Sequence, residues 1–378
     1  MADLNVNSIG DASGGATTSI NGFTPSVSNM AGRNRIINGD MRIDQRNAGA
    51  SVTPTDGQYT LDRWNAGLTQ ASKFSVQQSS VAPTGFTKSL LVTSLSAYSV
   101  ASGDLFRVSQ YIEGFNTSDL GWGTAGAKSV TLSFWVRSSL TGTFSGALLN
   151  SAIDRSYPFT YTISSADTWE QKSVTIAGDT SGSWLTTNGI GVRVGFSLGA
   201  GATFSGTAGA WAGATYTAAT GATSVVGTSG ATFYITGVQL EEGSVATPFC
   251  PAGGGSYGAE LALCQRYYWK QTKGDTGSQT PIGTGWMRNA TLAITCVRHP
   301  VPMRATPSFT SASGSAYFHI STVTDYNVTS LFLEGSNYLS TQTASIAGLI
   351  ASGSDTGGAG MQLYISNASA YFSFSAEL

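Results

Sequence analysis

The stretch KSVTLSFWVRSS, residues 128–139, alternates apolar and polar side chains and decides the fold class of this chain. On one face of an extended backbone lie Val130, Leu132, Phe134 and Val136, and on the other lie Thr131, Ser133, Trp135 and Arg137. A period of two residues is typical of a β-strand with one buried and one wetted face. The stretch therefore predicts a strand in a sheet that covers a core.

The same alternation recurs through most of the chain. IGVRVGFSL (190–198) repeats it, with Arg193 among the polar positions. Further strand candidates are residues 105–112, 169–176, 231–240, 288–297, 315–323, 328–334, 361–366 and 370–378. Gly, Asn, Asp and Pro separate these stretches, as turns require. Many short strands without long helical stretches predict an all-β protein: a jelly-roll or β-sandwich domain followed by a second, smaller β-sandwich domain.

The domain boundaries follow from length and local composition. A chain of 378 residues exceeds one ordinary core. GAELALCQRYY (258–268) predicts a short helix, and the glycine-rich PAGGGS before it is easy to bend, so the boundary falls near residue 254. Residues 1–31 are small, polar and aperiodic. We predict an N-terminal arm at 1–31, a jelly roll at 32–253 and a second β domain at 254–378 that begins with the helix.

Composition excludes several classes of function. Charged residues make up 11% of the chain, against roughly 25% in an ordinary soluble domain, and the net charge is −2. The sequence thus predicts no nucleic-acid binding. It contains no apolar run of 18 residues and no secretory signal, which predicts no membrane insertion. Cys250, Cys264 and Cys296 lack metal-site spacing, so we expect structural thiols from a reducing cytosol and neither a metal nor a cofactor.

Catalytic motifs occur only in unsuitable contexts. GGSYG (254–258) matches a nucleophile elbow around Ser256, but it lies in a glycine run, and only His299 and His319 are available as a base. GWGTAG (121–126) leads into a strand and lacks the helix that a phosphate site needs. The spacing of the acidic residues neither supports nor forbids a carboxylate pair for sugar hydrolysis. These acidic residues are Asp104, Glu113, Asp119, Asp154 and Glu170. We therefore predict that the protein is not an enzyme.

Aromatic residues are the better candidates for ligand binding. Trp and Tyr stack on the apolar face of a sugar ring while their polar tips accept or donate hydrogen bonds. Trp64, in LDRW, is interpreted as a core residue. The Gly/Ser-rich second domain contains the glycan-binding candidates Trp286, Tyr317, Tyr326 and Tyr338.

RNRIINGDMRIDQRNAG (33–49) concentrates four arginines and two aspartates in a chain that is poor in charge. We interpret the segment as the opening strand, with inward Ile37, Met41 and Ile43 and a turn or bulge at Asn38-Gly39. Arginine makes planar, multi-donor bonds to carbonyls and carboxylates. The residues assigned this structural role are Arg42, Arg46, Asp40, Asp44 and Asp62.

The order of eight blocks resembles a known family. The blocks are INGDMRIDQR (37–46), YTLDRW (59–64), FRVSQYIEG (106–114), residues 122–148, RSYPFTYTI (155–163), VTIAGDTSGSW (174–184), residues 231–249 and ELALCQRYY (260–268). Together they resemble the carbohydrate-binding-module-like jelly roll of bacteriophage and prophage tail fibres, over residues 33–270. The start MADLNVNSIGDASGG is similar to the N-terminal arms of such fibres. PFCPAGGGSYGAEL departs from the family, whose members carry a charged linker there.

The resemblance implies a virion protein made in the host cytoplasm and located in the tail. Its expected partners are other copies of itself in a homotrimer, other virion tail proteins through residues 1–31, and a host cell-surface glycan at the second domain. We expect the terminal strand YFSFSAEL to lie in the contact between chains. Two alternatives stay open: a capsid or head-decoration fibre, and a polysaccharide depolymerase.

Overall fold

A computed structural model describes residues 32–274, 279–314, 316–335 and 339–378. Contacts divide the chain into two compact units, residues 1–260 and 261–378, and each unit contains its own apolar cluster. Strands make up 43% and helices 5%, which confirms the all-β prediction. The predicted arm, residues 1–31, lies outside the described residues.

The first unit is a jelly-roll sandwich of two antiparallel sheets. The first sheet contains, in spatial order, β1 (Tyr59–Leu61), β2 (Trp64–Leu68), β5 (Leu105–Glu113), β10 (Ile190–Ala200), β7 (Gly142–Leu149) and β8 (Ser156–Ile163). The second contains β3 (Phe74–Ser79), β4 (Ser89–Ser94), β13 (Thr232–Glu242), β6 (Val130–Ser138) and β9 (Glu170–Ile176). Phe134 of β6 and Phe196 of β10 meet between the sheets, with ring centroids 5.0 Å apart. The alternating positions of both strands therefore point into one shared core, as predicted.

Smaller elements complete the first unit. A two-stranded parallel sheet, β11 (Ser205–Gly206) and β12 (Ala218–Ala219), packs against β7, β8 and β10. Short 3-10 helices occur at Gly114–Asn116, Ser118–Leu120 and Ala202–Phe204. The helix α1 (Tyr257–Gln265) occupies the segment for which we predicted 258–268, but Tyr268 belongs to the next strand. In the part of the chain that the structure describes, no helix has the length and apolar character needed to cross a membrane.

The second unit contains a three-stranded sheet and a closed six-stranded sheet. The three-stranded sheet is ordered β14 (Tyr268–Thr272), β22 (Tyr371–Ser375) and β17 (Ser308–Ser311). The closed sheet is ordered β15 (Thr280–Met287), β16 (Leu292–Arg298), β20 (Thr343–Ile350), β19 (Asp325–Leu333), β18 (Phe318–Ser321) and β21 (Gly360–Ile365). Its core contains Met287, Phe318, Ile346 and Ile365.

The terminal strand does not provide a free edge for the contact between chains in which we expected YFSFSAEL to lie. β22 is hydrogen-bonded to β14 on one side and to β17 on the other. Phe372 and Phe374 are both fully buried in the core of their own unit. The alternation of this strand correctly indicated a buried face, but pairing partners on both edges satisfy its backbone within the chain.

The opening segment is not a strand, and that prediction is wrong. Residues 37–40 and 45–49 form turns. Asn38 and Met41 have positive φ values of 56° and 59°, which interrupt an extended backbone. Ile37, Met41 and Ile43 are nevertheless buried, because the turns direct these side chains to the core.

Candidate functional site

The predicted aromatic residues of the second unit occupy different environments. Trp286 on β15 is 49% exposed. Tyr317 and Tyr326 are half-buried and pack against the core, and the Tyr326 hydroxyl donates to the Ser354 carbonyl at 2.9 Å. Tyr338 lies outside the described residues. Trp286 is therefore the described candidate whose ring is most available to a ligand.

Trp286 lines an open cavity of about 420 Å³, here called the Trp286 cavity. Its other lining residues are Cys296, Glu334, Leu339, Ser340, Thr343 and Ser345. The register of β16 with β20 places Cys296 opposite Ser345. Side chains of a strand alternate between faces, and Met287, next to Trp286, points into the core. The cavity therefore lies on the outer face of the closed sheet.

Glu334 is the charged group of the Trp286 cavity. Arg288 Nη1 lies 2.6 Å from Glu334 Oε1, and the Ser345 hydroxyl donates to Oε2 at 2.7 Å. These two contacts hold the carboxylate in place. An exposed indole next to oriented hydroxyl and carboxylate oxygens suits a polyhydroxylated ring, which presents both an apolar face and hydroxyl donors.

A second polar surface, which the sequence did not single out as a site, lies on the first unit. In the sheet register Asn65 of β2 is opposite Ser109 of β5, Ser109 is opposite Gly195 of β10, and Gly195 is opposite Ala147 of β7. This row of mostly small residues runs across four strands. Larger side chains flank it on the same face, Arg107 on one side and the pair Tyr111 and Arg193 on the other.

Asn65, Arg107, Ser109, Tyr111 and Arg193 form what we call the arginine face. The Arg193 guanidinium stacks on the Tyr111 ring, 4.4 Å from its centroid, and Arg107 Nη2 lies 3.5 Å from the Tyr111 hydroxyl. Both guanidinium groups therefore converge on one tyrosine. The sequence signal was weak: these residues lie on three strands that are far apart in the chain, and Arg107 and Arg193 appear there only as polar positions of predicted strands.

The charged residues of the opening segment stabilise its turns. Asp44 accepts hydrogen bonds from the backbone N–H groups of Asn47 at 2.9 Å and Gly49 at 2.8 Å. Asp62 accepts from the backbone and side-chain nitrogens of Gln45, each at 2.6 Å. Each carboxylate thus accepts backbone N–H groups from the turn at residues 45–49.

The arginines and the tryptophan of the same region also contact neighbouring groups. Arg42 forms an ion pair with Asp40, and Arg46 lies 5.3 Å from the centroid of the Tyr59 ring. Trp64 is fully buried, and its indole N–H donates to the Asn38 carbonyl at 3.1 Å. All of these contacts are with groups of the same chain, which agrees with a structural role for these residues.

Two buried carboxylates in this region have perturbed pKa values. Burial raises the pKa of Glu260, and hydrogen bonds from the backbone N–H groups of Asn38 and Gly253 oppose that shift. Burial likewise raises the pKa of Asp40, and the Arg42 guanidinium opposes it. Both oxygens of Glu260 accept backbone hydrogen bonds, so this carboxyl joins the opening turn to the PAGGGS segment.

The candidate catalytic residues Ser256, His299 and His319 each contact a different group of the protein. The Ser256 hydroxyl accepts from Ala259 N at the start of α1, 3.4 Å away. His299 Nδ1 accepts from the Trp269 indole at 3.0 Å. His319 Nε2 lies 3.7 Å from Asp325. Within the described ranges, no group of three or more His, Cys, Asp and Glu residues is arranged to hold a metal ion.

The carboxylates considered for sugar hydrolysis have partners of their own. A hydrogen bond from the Tyr98 hydroxyl lowers the pKa of Asp104, and one from Lys172 lowers the pKa of Glu170. Asp119 pairs with Arg35, and Asp154 accepts from the Asn150 side chain. A general acid needs a raised pKa, so the shifts at Asp104 and Glu170 are in the wrong direction for that role.

Comparison with known proteins adds only distant structural similarities. No protein-family model matches the sequence, and no curated protein matches it. The enzymatically active domain of bacteriophage CBA120 tailspike protein 4 is 13% identical with a TM-score of 0.30, over 55% of this chain and 21% of that one. TmCBM61 in complex with β-1,4-galactotriose is 11% identical with a TM-score of 0.28, over 56% and 99%. A family 11 carbohydrate-binding module from Clostridium thermocellum, in complex with a β-1,3-1,4-mixed-linked tetrasaccharide, is 10% identical with a TM-score of 0.27, over 53% and 99%.

The fold defines the class of this chain as an all-β protein whose first unit is a jelly-roll sandwich. At these identities and TM-scores the similar structures assign it neither a family nor a ligand.

Proposed function

We propose that this chain is a noncatalytic fibre protein of a bacteriophage virion, a tail fibre or fibre tip, that attaches to a host-surface glycan through the Trp286 cavity. The observation that carries the proposal is the half-exposed indole of Trp286 beside the oriented carboxylate of Glu334 and three hydroxyls. The resemblance of eight sequence blocks, in order, to tail fibres supports the location in the tail.

The absence of catalysis is part of the proposal. Ser256 caps a helix, and the pKa values of Asp104 and Glu170 are lowered. Both features favour binding over hydrolysis. Release of reducing ends from a host polysaccharide by the purified protein would contradict this part and favour the depolymerase alternative.

The proposed assembly is a homotrimer whose arm, residues 1–31, binds other tail proteins. Three copies make weak sugar contacts multivalent, which raises the overall avidity. Light scattering coupled to size exclusion should report three chains, and a stable monomer would contradict it. Immunogold labelling of virions should place the protein on the tail, whereas labelling of the head would favour the decoration-fibre alternative.

Substitution of Trp286 tests the glycan-binding surface. On a glycan array followed by calorimetry, Trp286→Ala should weaken binding at least tenfold, because removal of a large aromatic contact costs about 1.5–3 kcal/mol. Phe332→Ala is the matched control, since Phe332 is 38% exposed and does not line the cavity. Equal affinity of Trp286→Ala and wild type would overturn the assignment of this cavity.

A further inference from the structure

We propose that the arginine face of the first unit binds an acidic saccharide, with Arg107 and Arg193 contacting its anionic group. The two guanidinium groups approach the same ring, Tyr111, one over its face and the other at its hydroxyl. They therefore form one positively charged patch, although Arg107 and Arg193 belong to different strands.

Neither arginine is neutralised within the part of the chain that the structure describes. Arg107 Nη2 lies 3.5 Å from the Tyr111 hydroxyl, and Arg193 donates to the Ser151 carbonyl at 3.2 Å. Among residues 32–274, 279–314, 316–335 and 339–378, no carboxylate lies within 4.0 Å of either guanidinium.

Other arginines of the first unit, unlike Arg107 and Arg193, pair with carboxylates. Arg155 forms two hydrogen bonds with Asp179, at 2.8 and 2.7 Å. Arg137 pairs with Asp167 at 3.1 Å. In a chain with so few charges, two adjacent arginines without acidic partners leave donors available for a ligand anion.

The side chain of Asn65 provides a second, independent observation in favour of a ligand on the arginine face. Asn65 is 1% exposed, and its Nδ2 has no hydrogen-bond partner among the described residues, while its Oδ1 accepts from Ser109 at 2.7 Å. A buried unpaired amide donor costs free energy unless something pairs with it. Asn65 therefore points to a ligand or water oxygen above the row of small residues.

The shape of the face fits an extended oxygen-rich molecule. Gly195 and Gly67 keep the surface low, and a Cβ at Gly67 would lie 2.7 Å from Arg107 Nε. The unpaired groups are donors, so the complementary ligand is rich in acceptors and negatively charged. Guanidinium groups match the planar geometry of a carboxylate, as in a uronic acid. That the anion belongs to a saccharide rests on the proposed function, whereas the anion site itself does not.

Calorimetry on the full chain tests the inference. The probes are oligomers of galacturonate, glucuronate and mannuronate, the same oligomers with their carboxyls reduced to alcohols, and inorganic phosphate. At least one oligouronate should bind, and its reduced counterpart should bind at least tenfold more weakly. Affinity should also fall with added salt.

Variants locate the site. Arg107→Gln and Arg193→Gln should each weaken oligouronate binding at least tenfold, while Arg298→Gln removes an exposed arginine of the second unit and should leave it unchanged. Thermal unfolding checks that each variant is folded, and Arg193→Lys, which keeps the charge, should retain intermediate affinity.

Three results would overturn the inference: no oligouronate binds, the reduced oligomers bind equally well, or both glutamine variants bind as wild type does. Binding of inorganic phosphate as tight as that of the oligouronates would overturn the saccharide part. A failure of the arginine-face inference can be told apart from a failure of the glycan site proposed at the Trp286 cavity, because Trp286→Ala should not change oligouronate binding.

Discussion

At the scale of single residues, the Asn38 side chain hydrogen-bonds backbone groups of a turn where the sequence had predicted a strand. Its amide nitrogen donates to the carbonyls of Ile43 and Asp62, and its amide oxygen accepts from Ile43 N. Asn tolerates the left-handed backbone conformation better than most residues, which its φ of 56° requires. The turn is thus closed by side-chain bonds, and the backbone N–H of Asn38 is left to bind Glu260.

Glu260 makes the stability of the first unit depend on pH. Because burial raises its pKa above the ordinary 4.5, the folded form holds the proton more tightly than the unfolded chain does. Its contribution to the free energy of unfolding is therefore fully present below pH 4.5 and is lost as pH rises through the folded-state pKa.

Denaturant unfolding at several pH values measures this contribution. The difference in unfolding free energy between wild type and Glu260→Gln should change in favour of Glu260→Gln as the pH rises above 4.5. A difference that is independent of pH for Glu260→Gln would contradict the prediction.

At the scale of elements, capping explains why α1 begins where it does. Ser256 precedes the first helical residue, and its carbonyl accepts from Glu260 N at 3.0 Å. Its hydroxyl accepts from Ala259 N, as in an N-cap. The match to a nucleophile elbow therefore coincides with a helix start, where serine is favoured for hydrogen bonding.

Ser256→Ala should lower the free energy of unfolding by about 0.5–1 kcal/mol, because the cap bond is lost. Glycan binding and any hydrolytic background should stay as in wild type. Ser80→Ala, at an exposed serine, is the control and should leave stability unchanged. A hydrolytic activity that disappears in Ser256→Ala would instead identify a catalytic serine.

At the scale of the whole molecule, the two units contain separate cores. The cluster of the first unit includes Trp64, Phe134 and Phe196, and that of the second includes Trp269, Phe372 and Phe374. In the second cluster the ring of Phe374 lies 5.2 Å from Trp269 and 4.6 Å from His299, between centroids. We therefore expect each unit to unfold cooperatively by itself.

Calorimetry should show two unfolding transitions. Phe374→Ala should lower one of them strongly, because truncation of a buried phenylalanine costs about 3–5 kcal/mol, and should leave the other in place. Val323→Ala, at a side chain that is 98% exposed, should change neither. A single transition that moves as a whole in Phe374→Ala would show that the units unfold together.

The sequence by itself determined the strand class and the faces of strands such as β6 and β10. Side-chain direction there depends only on a period of two, which is a local property. It also singled out Trp286 as an exposed aromatic, because the surrounding Gly/Ser-rich sequence offers little to bury it. Strands with weak alternation or with proline and glycine, such as β15 (TPIGTGWM), were missed.

Only the tertiary structure decided which residues meet. Arg107, Tyr111 and Arg193 lie together because β5 pairs with β10 in one register, and a shift of one residue would turn Arg193 to the other face. β22 lies in the middle of its sheet because β14 and β17 supply partners from distant parts of the chain. Such pairings depend on the closure of long loops around a shared core, so no local pattern specifies them.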